Sequence, residues 1–144
     1  MEREGAGMTP HHSTIKLRGH QRGFYDVTSR ISEIVQHSHI EIGTCTVFVQ
    51  HTSAGICIQE NADPSARHDM EKWLDRVAPE NDPEYTHTSE GSDDMPAHLK
   101  TILVGTDIVV PVIDGELALG TWQGIYLCEF RNYPGTRTIV VVVQ

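Results

Sequence analysis

The alternation of apolar and polar residues along the chain predicts a protein rich in β-strands. Seven segments are expected to be strands: residues 12–18, 23–28, 43–50, 54–60, 107–113, 124–131 and 137–144. The last segment is apolar almost without a break, which predicts a strand buried on both faces. The residues HTSA leave only a tight connection between the third and fourth segments, so these two are expected to be neighbours. Pro111 favours an edge strand or a bulge, and Asp114-Gly115 predicts a hairpin after it.

Helical periodicity predicts two or three helices between these strands. Asp63 is a favourable N-cap and Pro64 suits the first helical position. The apolar residues that follow fall on one helical face, at Ala66, Met70, Trp73, Leu74 and Val77. Shorter helices are predicted over residues 28–37 and from Asp94 to a stop at Gly105.

Together these elements predict one α+β domain over residues 12–144, built mainly on an antiparallel sheet. A chain of 144 residues normally forms a single domain. Residues 1–11 are polar and contain glycine, which predicts a flexible tail. Residues 78–94 form an acidic connection too long for a structureless loop inside a compact domain. Such a connection is usually functional or disordered.

Composition narrows the classes of partner and compartment. The net charge is −9, with 20 acidic against 11 basic residues, which argues against nucleic acid or an anionic membrane surface as partner. The three cysteines form no CxxC pair, which indicates reduced thiols and a cytoplasmic protein. No signal peptide and no apolar run of membrane-spanning length are found.

Polar residues at the ends of apolar rows are the first candidates for chemistry. His51 continues the inward-facing row of residues 45–49, where the simplest role is a hydrogen bond to a backbone group. Glu60 ends the next strand. Asp69 lies on the rim of the apolar helix face, where it either pairs with a neighbour or points into a cleft.

Acidic residues further along the chain add a second set of candidates. Glu129 lies in an apolar row, so it must be paired or desolvated, and Arg131 or Arg137 could be its partner. His98 follows Asp94 by four residues and lies above it on a helix. That pair is compatible with a general base, a metal site or a charged helix cap.

Three histidines, His51, His87 and His98, lie in or next to predicted turns and helix starts. Three imidazoles with an open fourth position would suit a zinc ion that activates water. Their spacing matches no zinc motif such as HExxH, and the chain contains no P-loop, GxGxxG or GxSxG motif.

Three segments together resemble the YjbQ family of small bacterial and archaeal proteins. They are HTSAGICIQENADPSARHDM, YTHTSEGSDDMPAHLKTILVG and GELALGTWQGIYLCEFRNYPGTR, and the likeness runs from about Thr14 to Val143. The resemblance implies an α+β fold, a homotrimer and a weak, secondary thiamine phosphate synthase activity. It also implies that some members bind metal.

The polar positions of the family fall on fourteen residues of this chain: His51, Thr52, Ser53, Glu60, Asp63, Asp69, His87, Asp94, His98, Lys100, Trp122, Gln123, Glu129 and Arg137. Many members end the third segment with a compact E-x-DGPR-x-R turn. This chain has EFRNYPGTRT there, which is longer and lacks the aspartate.

Three hypotheses follow. As a transferase, the protein would join a pyrimidine-methyl pyrophosphate to a thiazole phosphate. Magnesium would be held by carboxylates among Asp63, Asp69, Asp93 and Asp94. Substrate would be bound by Thr52, Ser53, Lys100, Trp122 and Arg137, with the two cations on phosphate and Trp122 stacked on a ring.

As a zinc enzyme of the hydrolase type, the protein would use His51, His87 and His98 as ligands and Glu60 or Asp94 as base. The third hypothesis is a trimeric module that binds a small ligand or a partner without catalysis. Across the catalytic hypotheses, the candidate catalytic residues are His51, Glu60, Asp69, Asp94 and His98, and the cofactor is a divalent metal, zinc or magnesium.

Overall fold

The computed structural model of the protein describes residues 9–19 and 21–144. Residues 1–8 of the predicted tail lie outside the described residues. The strands in the described part are β1 (His11–Leu17), β2 (Gly23–Asp26), β3 (Ile42–Val49), β4 (Ala54–Glu60), β5 (Asp107–Ile113), β6 (Glu116–Leu117), β7 (Gln123–Glu129) and β8 (Arg137–Val143). The helices there are α1 (Thr28–Ser38), α2 (Pro64–Val77) and α3 (Asp94–Val104).

The strands form two antiparallel sheets, which confirms the predicted α+β architecture. The larger sheet has the order β1-β8-β3-β5-β6 and the smaller has the order β2-β7-β4. Strand β8 pairs with β1 on one side and β3 on the other. Its predicted burial on both faces is only partial, because its residues alternate between buried and partly buried. Strand β5, which contains Pro111, has only the two-residue β6 outside it. The predicted hairpin between β5 and β6 forms, with Asp114 and Gly115 both at positive φ.

The prediction that β3 and β4 are neighbours is wrong. These strands belong to different sheets, and the connection after β3 carries the chain from the larger sheet to the smaller one. Their inward rows, which include Val47 and Ile56, face each other across one buried core. Alternation identifies the buried face of a strand but not its partner, so a short connection was mistaken for a hairpin.

The main core lies between the two sheets and is closed at one side by α1, through Ile31 and Val35. A second cluster joins the outer face of the smaller sheet to α2 and α3 through Leu74, Ala97, Tyr126, Cys128 and Phe130. The broad apolar face predicted for α2 is only partly buried. Trp73 and Val77 remain 51% and 48% exposed, because the helix presents chiefly Leu74 to the sheet.

The start of α2 and the end of α3 follow the local sequence signals, whereas α1 begins after Val27 without a side-chain cap. Asp63 caps α2 by accepting a 3.0 Å hydrogen bond from the Ser65 amide, and Pro64 takes the first helical position. Helix α3 ends at Gly105, which adopts φ 95°. Among the described residues no helix is long and apolar enough to cross a membrane. The candidate site is formed by the segment between α2 and α3 and by α3 itself.

Candidate metal centre

Two imidazoles and one carboxylate converge at the start of α3. Nε2 of His87 lies 2.8 Å and Nε2 of His98 lies 3.2 Å from the same oxygen, Oδ2 of Asp94. Asp94 and His98 meet because residues four apart share one helix face. The Asp94 side chain is only 5% exposed, whereas that of His87 is 50% exposed. The cluster therefore has a buried anionic floor and one side open to solvent.

The orientation of His98 is set by a backbone carbonyl. Its Nδ1 lies 2.9 Å from the carbonyl oxygen of Thr52, which can only accept a hydrogen bond. The ring hydrogen of a neutral His98 is therefore on Nδ1, and the lone pair of Nε2 faces Asp94 Oδ2. A lone pair and a carboxylate oxygen repel each other unless a proton or a cation lies between them. Metal-binding histidines commonly donate their second N–H in this way.

Arg131 holds the carboxylates at the start of α3. Its Nη1 donates to Asp94 Oδ1 at 2.7 Å, and its Nε donates to Asp93 Oδ2 at 2.9 Å. Burial alone would raise the pKa of Asp93, but hydrogen bonds from the Asn132 amide and from Arg131 outweigh it and hold that pKa below its usual range. The free oxygen of Asp94 is thereby left to the two histidines.

The long acidic connection between α2 and α3 carries His87 to this cluster. It is pinned near its start by Tyr85, whose hydroxyl donates to the Pro79 carbonyl at 2.8 Å. Near its end, the hydroxyl of Ser92 donates to Glu80 at 2.8 Å. The length of this segment, which indicated either function or disorder, is thus explained by its position over the candidate site.

A buried ion pair supports the opposite side of the site. Arg137 donates to the Glu129 carboxylate from Nε at 2.6 Å and from Nη2 at 2.5 Å, which confirms one of the two partners expected for Glu129. The same Nη2 donates to the Ser53 hydroxyl at 3.0 Å. Because Thr52 precedes Ser53, this pair also fixes the carbonyl that orients His98.

His51 is not part of the cluster in the described structure. Its Nε2 accepts a 2.8 Å hydrogen bond from the backbone amide of Thr138. A hydrogen bond to a backbone group is the simplest role expected for His51 from the sequence. It leaves Nε2 unable to bind metal. Where three histidines were expected, the described residues bring together His87, His98 and Asp94. His51 and His98 nevertheless line the same open depression.

The cations expected to bind phosphate are both occupied. Lys100 is 3% exposed and donates to Asp75 at 2.7 Å, and Arg137 is held by Glu129. Glu60 is also engaged, because its carboxylate accepts hydrogen bonds from the amides of Ala62 and Asp63.

Two further expected site residues lie at the surface. The Asp69 side chain is 83% exposed and has His68 as its neighbour at 3.5 Å. Trp122 is 65% exposed, in the segment just before β7. Neither is among the residues that converge on the cluster.

Sequence reasoning missed the contact of Arg131 with Asp94. Arg131 was considered only as a partner for Glu129, two residues away, to whose carboxylate its backbone amide does donate at 3.0 Å. Asp94 lies 37 positions earlier. Such a contact depends on the packing of α3 against the end of β7, for which a single sequence carries no signal.

Known proteins resemble this chain in sequence and in architecture. The model of the family "UPF0047 protein YjbQ-like" matches residues 13–144. A UPF0047 protein of Synechocystis sp. is 41% identical over 93% of this chain and 91% of its own length. The UPF0047 protein YjbQ of Escherichia coli O157:H7 is 42% identical over 91% of this chain and 95% of its own. A crystal structure of a YbjQ-like protein of unknown function from Sulfolobus solfataricus superposes with a TM-score of 0.86 at 27% identity, covering 94% of this chain and 96% of that one. The chain therefore belongs to the UPF0047/YjbQ family.

Proposed function

We propose that this protein is a zinc-dependent enzyme of the hydrolase type, with His87, Asp94 and His98 as the metal ligands. The observation that carries the proposal is the convergence of these three donor atoms within 4.8 Å of one another. Two imidazoles with one carboxylate suit zinc better than magnesium, which prefers oxygen ligands. Three protein ligands leave the fourth position open, as in catalytic zinc sites.

The surrounding residues prepare this site for a cation. The Thr52 carbonyl keeps the Nε2 lone pair of His98 turned towards Asp94, and Arg131 orients the Asp94 carboxylate. When bound, zinc would supply a Lewis acid that lowers the pKa of water and polarises a carbonyl or phosphoryl oxygen. The half-exposed ring of His87 leaves this position accessible from solvent.

The test is an assay of metal-stripped protein before and after zinc is added back, against chromogenic carboxylic and phosphoric esters. We expect hydrolysis that depends on zinc and is lost in Asp94→Asn. His68→Gln, a change at an exposed histidine of α2, serves as the control. Hydrolysis that is unaffected by metal removal, or that persists in Asp94→Asn, would rule the proposal out.

Thiamine phosphate synthesis is the second candidate. The resemblance to the YjbQ family implies this activity, and the same cluster could hold the divalent metal that a pyrophosphate leaving group requires. The pairing of Lys100 and Arg137 with Asp75 and Glu129 weighs against it, because neither cation is left for phosphate. Purified protein with both substrates and magnesium tests it, and product formation no faster than in a blank would eliminate it.

A homotrimer is proposed as the assembly, formed through the outer face of the larger sheet by copies of this chain. Apolar side chains run across that face and are strongly exposed: Ile42 79%, Phe48 43%, Val109 56% and Ile113 52%. Contiguous exposed apolar patches of this kind usually mark an interface.

Light scattering should give the mass of three chains. Val109→Glu should dissociate them, whereas Tyr133→Glu, at a residue 95% exposed elsewhere, should not. A wild-type protein that is monomeric at all concentrations would contradict the assembly.

A further inference from the structure

The hydrogen bond to His51 determines which of its nitrogens carries the hydrogen. A backbone amide can only donate, so Nε2 of His51 must accept from Thr138, and a neutral ring then has its hydrogen on Nδ1. Burial and the nearby charge of Arg137 lower the pKa of His51, which favours this neutral form. No hydrogen-bond partner of Nδ1 is found among the described residues. His51 thus offers one N–H group and no free lone pair.

His51 shares an open depression with a proposed metal ligand. The depression is lined by His51, Thr52, His98, Thr101, Ile102 and Gly105, together with Thr106. It adjoins the cluster of His87, Asp94 and His98, because His98 belongs to both. Ile102 is 77% exposed and forms part of an apolar wall. A molecule in this depression would therefore meet an apolar surface, His51 and the ring of His98, whose Nε2 faces Asp94 in the neighbouring cluster.

The charge of the lining limits what this depression can bind. None of the residues described around it is a lysine, arginine, aspartate or glutamate. The nearest cations are engaged: Arg137 pairs with Glu129, and Lys16 donates to the Thr138 hydroxyl at 3.3 Å. A phosphate dianion would find no side-chain cation here, and an uncharged polar group needs none.

We propose that this depression binds the uncharged carbonyl group of a carboxylic ester or amide, with His51 donating a hydrogen bond from Nδ1 to the carbonyl oxygen. This inference rests on the proposed zinc-dependent hydrolysis and names its substrate class. In the reaction, the oxygen of water bonds to the carbonyl carbon and the bond from that carbon to the alcohol oxygen or amine nitrogen breaks. The leaving group takes the electron pair and one proton of the water. For an ester, the second proton goes to solvent and a carboxylate remains.

His51 would act on the oxygen where negative charge develops. A donor already in place there stabilises the transition state more than the ground state, and removal of one such donor typically lowers kcat by about 10²–10³-fold. His51 is then a catalytic residue by direct contact with substrate, although it binds no metal. Its hydrogen bond with the Thr138 amide positions the ring and keeps the ring hydrogen on Nδ1, the nitrogen that would donate to the substrate.

Two substitutions separate the two nitrogens of His51. His51→Gln places an amide oxygen where Nε2 accepts from Thr138 but removes the donor near Nδ1. His51→Asn places an amide N–H near Nδ1 and removes the acceptor. We expect His51→Gln to lose about 10²-fold in kcat towards p-nitrophenyl acetate, with zinc content unchanged and KM little affected. His51→Asn should retain more of the activity, and His68→Gln should match the wild type.

Substrate class is tested with p-nitrophenyl acetate and p-nitrophenyl phosphate, on protein whose zinc content has been measured. We expect the acetate to be the better substrate. If zinc is bound and the phosphate is preferred, or His51→Gln hydrolyses the acetate as well as the wild type, the inference is overturned while the metal site stands. If no zinc is bound, the proposed function itself fails.

Long-range ¹H–¹⁵N spectra of metal-free protein give a separate readout, in which His51 should carry its hydrogen on Nδ1. A hydrogen on Nε2 would contradict the inference without any assay.

Discussion

Arg131 donates a 2.7 Å hydrogen bond from Nη1 to Oδ1 of Asp94, so a cation just after β7 holds the carboxylate at the start of α3. The other oxygen of Asp94 faces His87 and His98. This contact joins the third segment of the family resemblance to the second. It makes the geometry of the cluster depend on a residue that would not itself bind the metal.

Replacement of Arg131 by methionine should weaken zinc binding while every proposed ligand is retained. Loss of a group that orients a metal ligand typically lowers metal affinity about 10–100-fold. Competition with a chromogenic chelator measures the change. Arg76→Met, at an exposed arginine in the last turn of α2, is the matched control. An affinity equal to that of the wild type would show that Asp94 does not need Arg131.

Removal of one partner of the buried pair of Glu129 and Arg137 should destabilise the protein strongly. Glu129 is 3% exposed, so Glu129→Gln leaves Arg137 buried with its charge uncompensated, and such a loss costs about 3–5 kcal/mol. Urea denaturation followed by circular dichroism measures it. Glu33→Gln, at an exposed position of α1, should change the free energy of unfolding by less than about 0.5 kcal/mol. Equal midpoints for the two variants would contradict the role assigned to the pair.

His51 should make the protein less stable as the pH falls. Burial first, and then Arg137, lower its pKa in the folded state. The unfolded chain therefore binds a proton at higher pH than the folded one, and stability is complete above the unfolded pKa of about 6.5. It is lost as the pH falls from there through the folded pKa. The free energy of unfolding measured from about pH 8 to pH 5 should fall less in His51→Gln than in the wild type, and identical slopes would count against this assignment.

Cys57 should react with alkylating reagents before Cys45. A hydrogen bond with Cys128, whose sulfur is 3.6 Å away, lowers the pKa of Cys57, which is also partly accessible. Burial raises the pKa of Cys45 to about 11, so little thiolate forms there at neutral pH. Peptide mass spectrometry after brief iodoacetamide treatment should find Cys57 labelled first. Earlier labelling of Cys45 would contradict the environments described here.

Most of the secondary structure follows from local sequence signals. The cap at Asp63, the stop at Gly105 and the turn at Asp114-Gly115 each depend on residues within a few positions, so the sequence alone is sufficient for them. The step from β3 to β4 was predicted wrongly, because strand pairing depends on distant partners such as β7 and β8.

The candidate site was predictable in proportion to how local its contacts are. The pair of Asp94 and His98 follows from helical spacing, whereas His87 was named as one of three histidines near predicted turns and helix starts. His51 was grouped with them because all three are histidines near turns. Its hydrogen bond to Thr138, 87 positions away, is a contact between distant segments that no spacing rule contains.

We propose that His87, Asp94 and His98 hold zinc, and the metal content of the purified protein is the most direct test. Protein reloaded with zinc and freed of excess metal is analysed by elemental mass spectrometry, beside His98→Ala and the control His68→Ala. We expect about one zinc ion per chain in the wild type and in the control, and a loss of nearly all of it in His98→Ala. A wild-type protein without stoichiometric zinc, or a His98→Ala protein with undiminished zinc, would rule out this metal site.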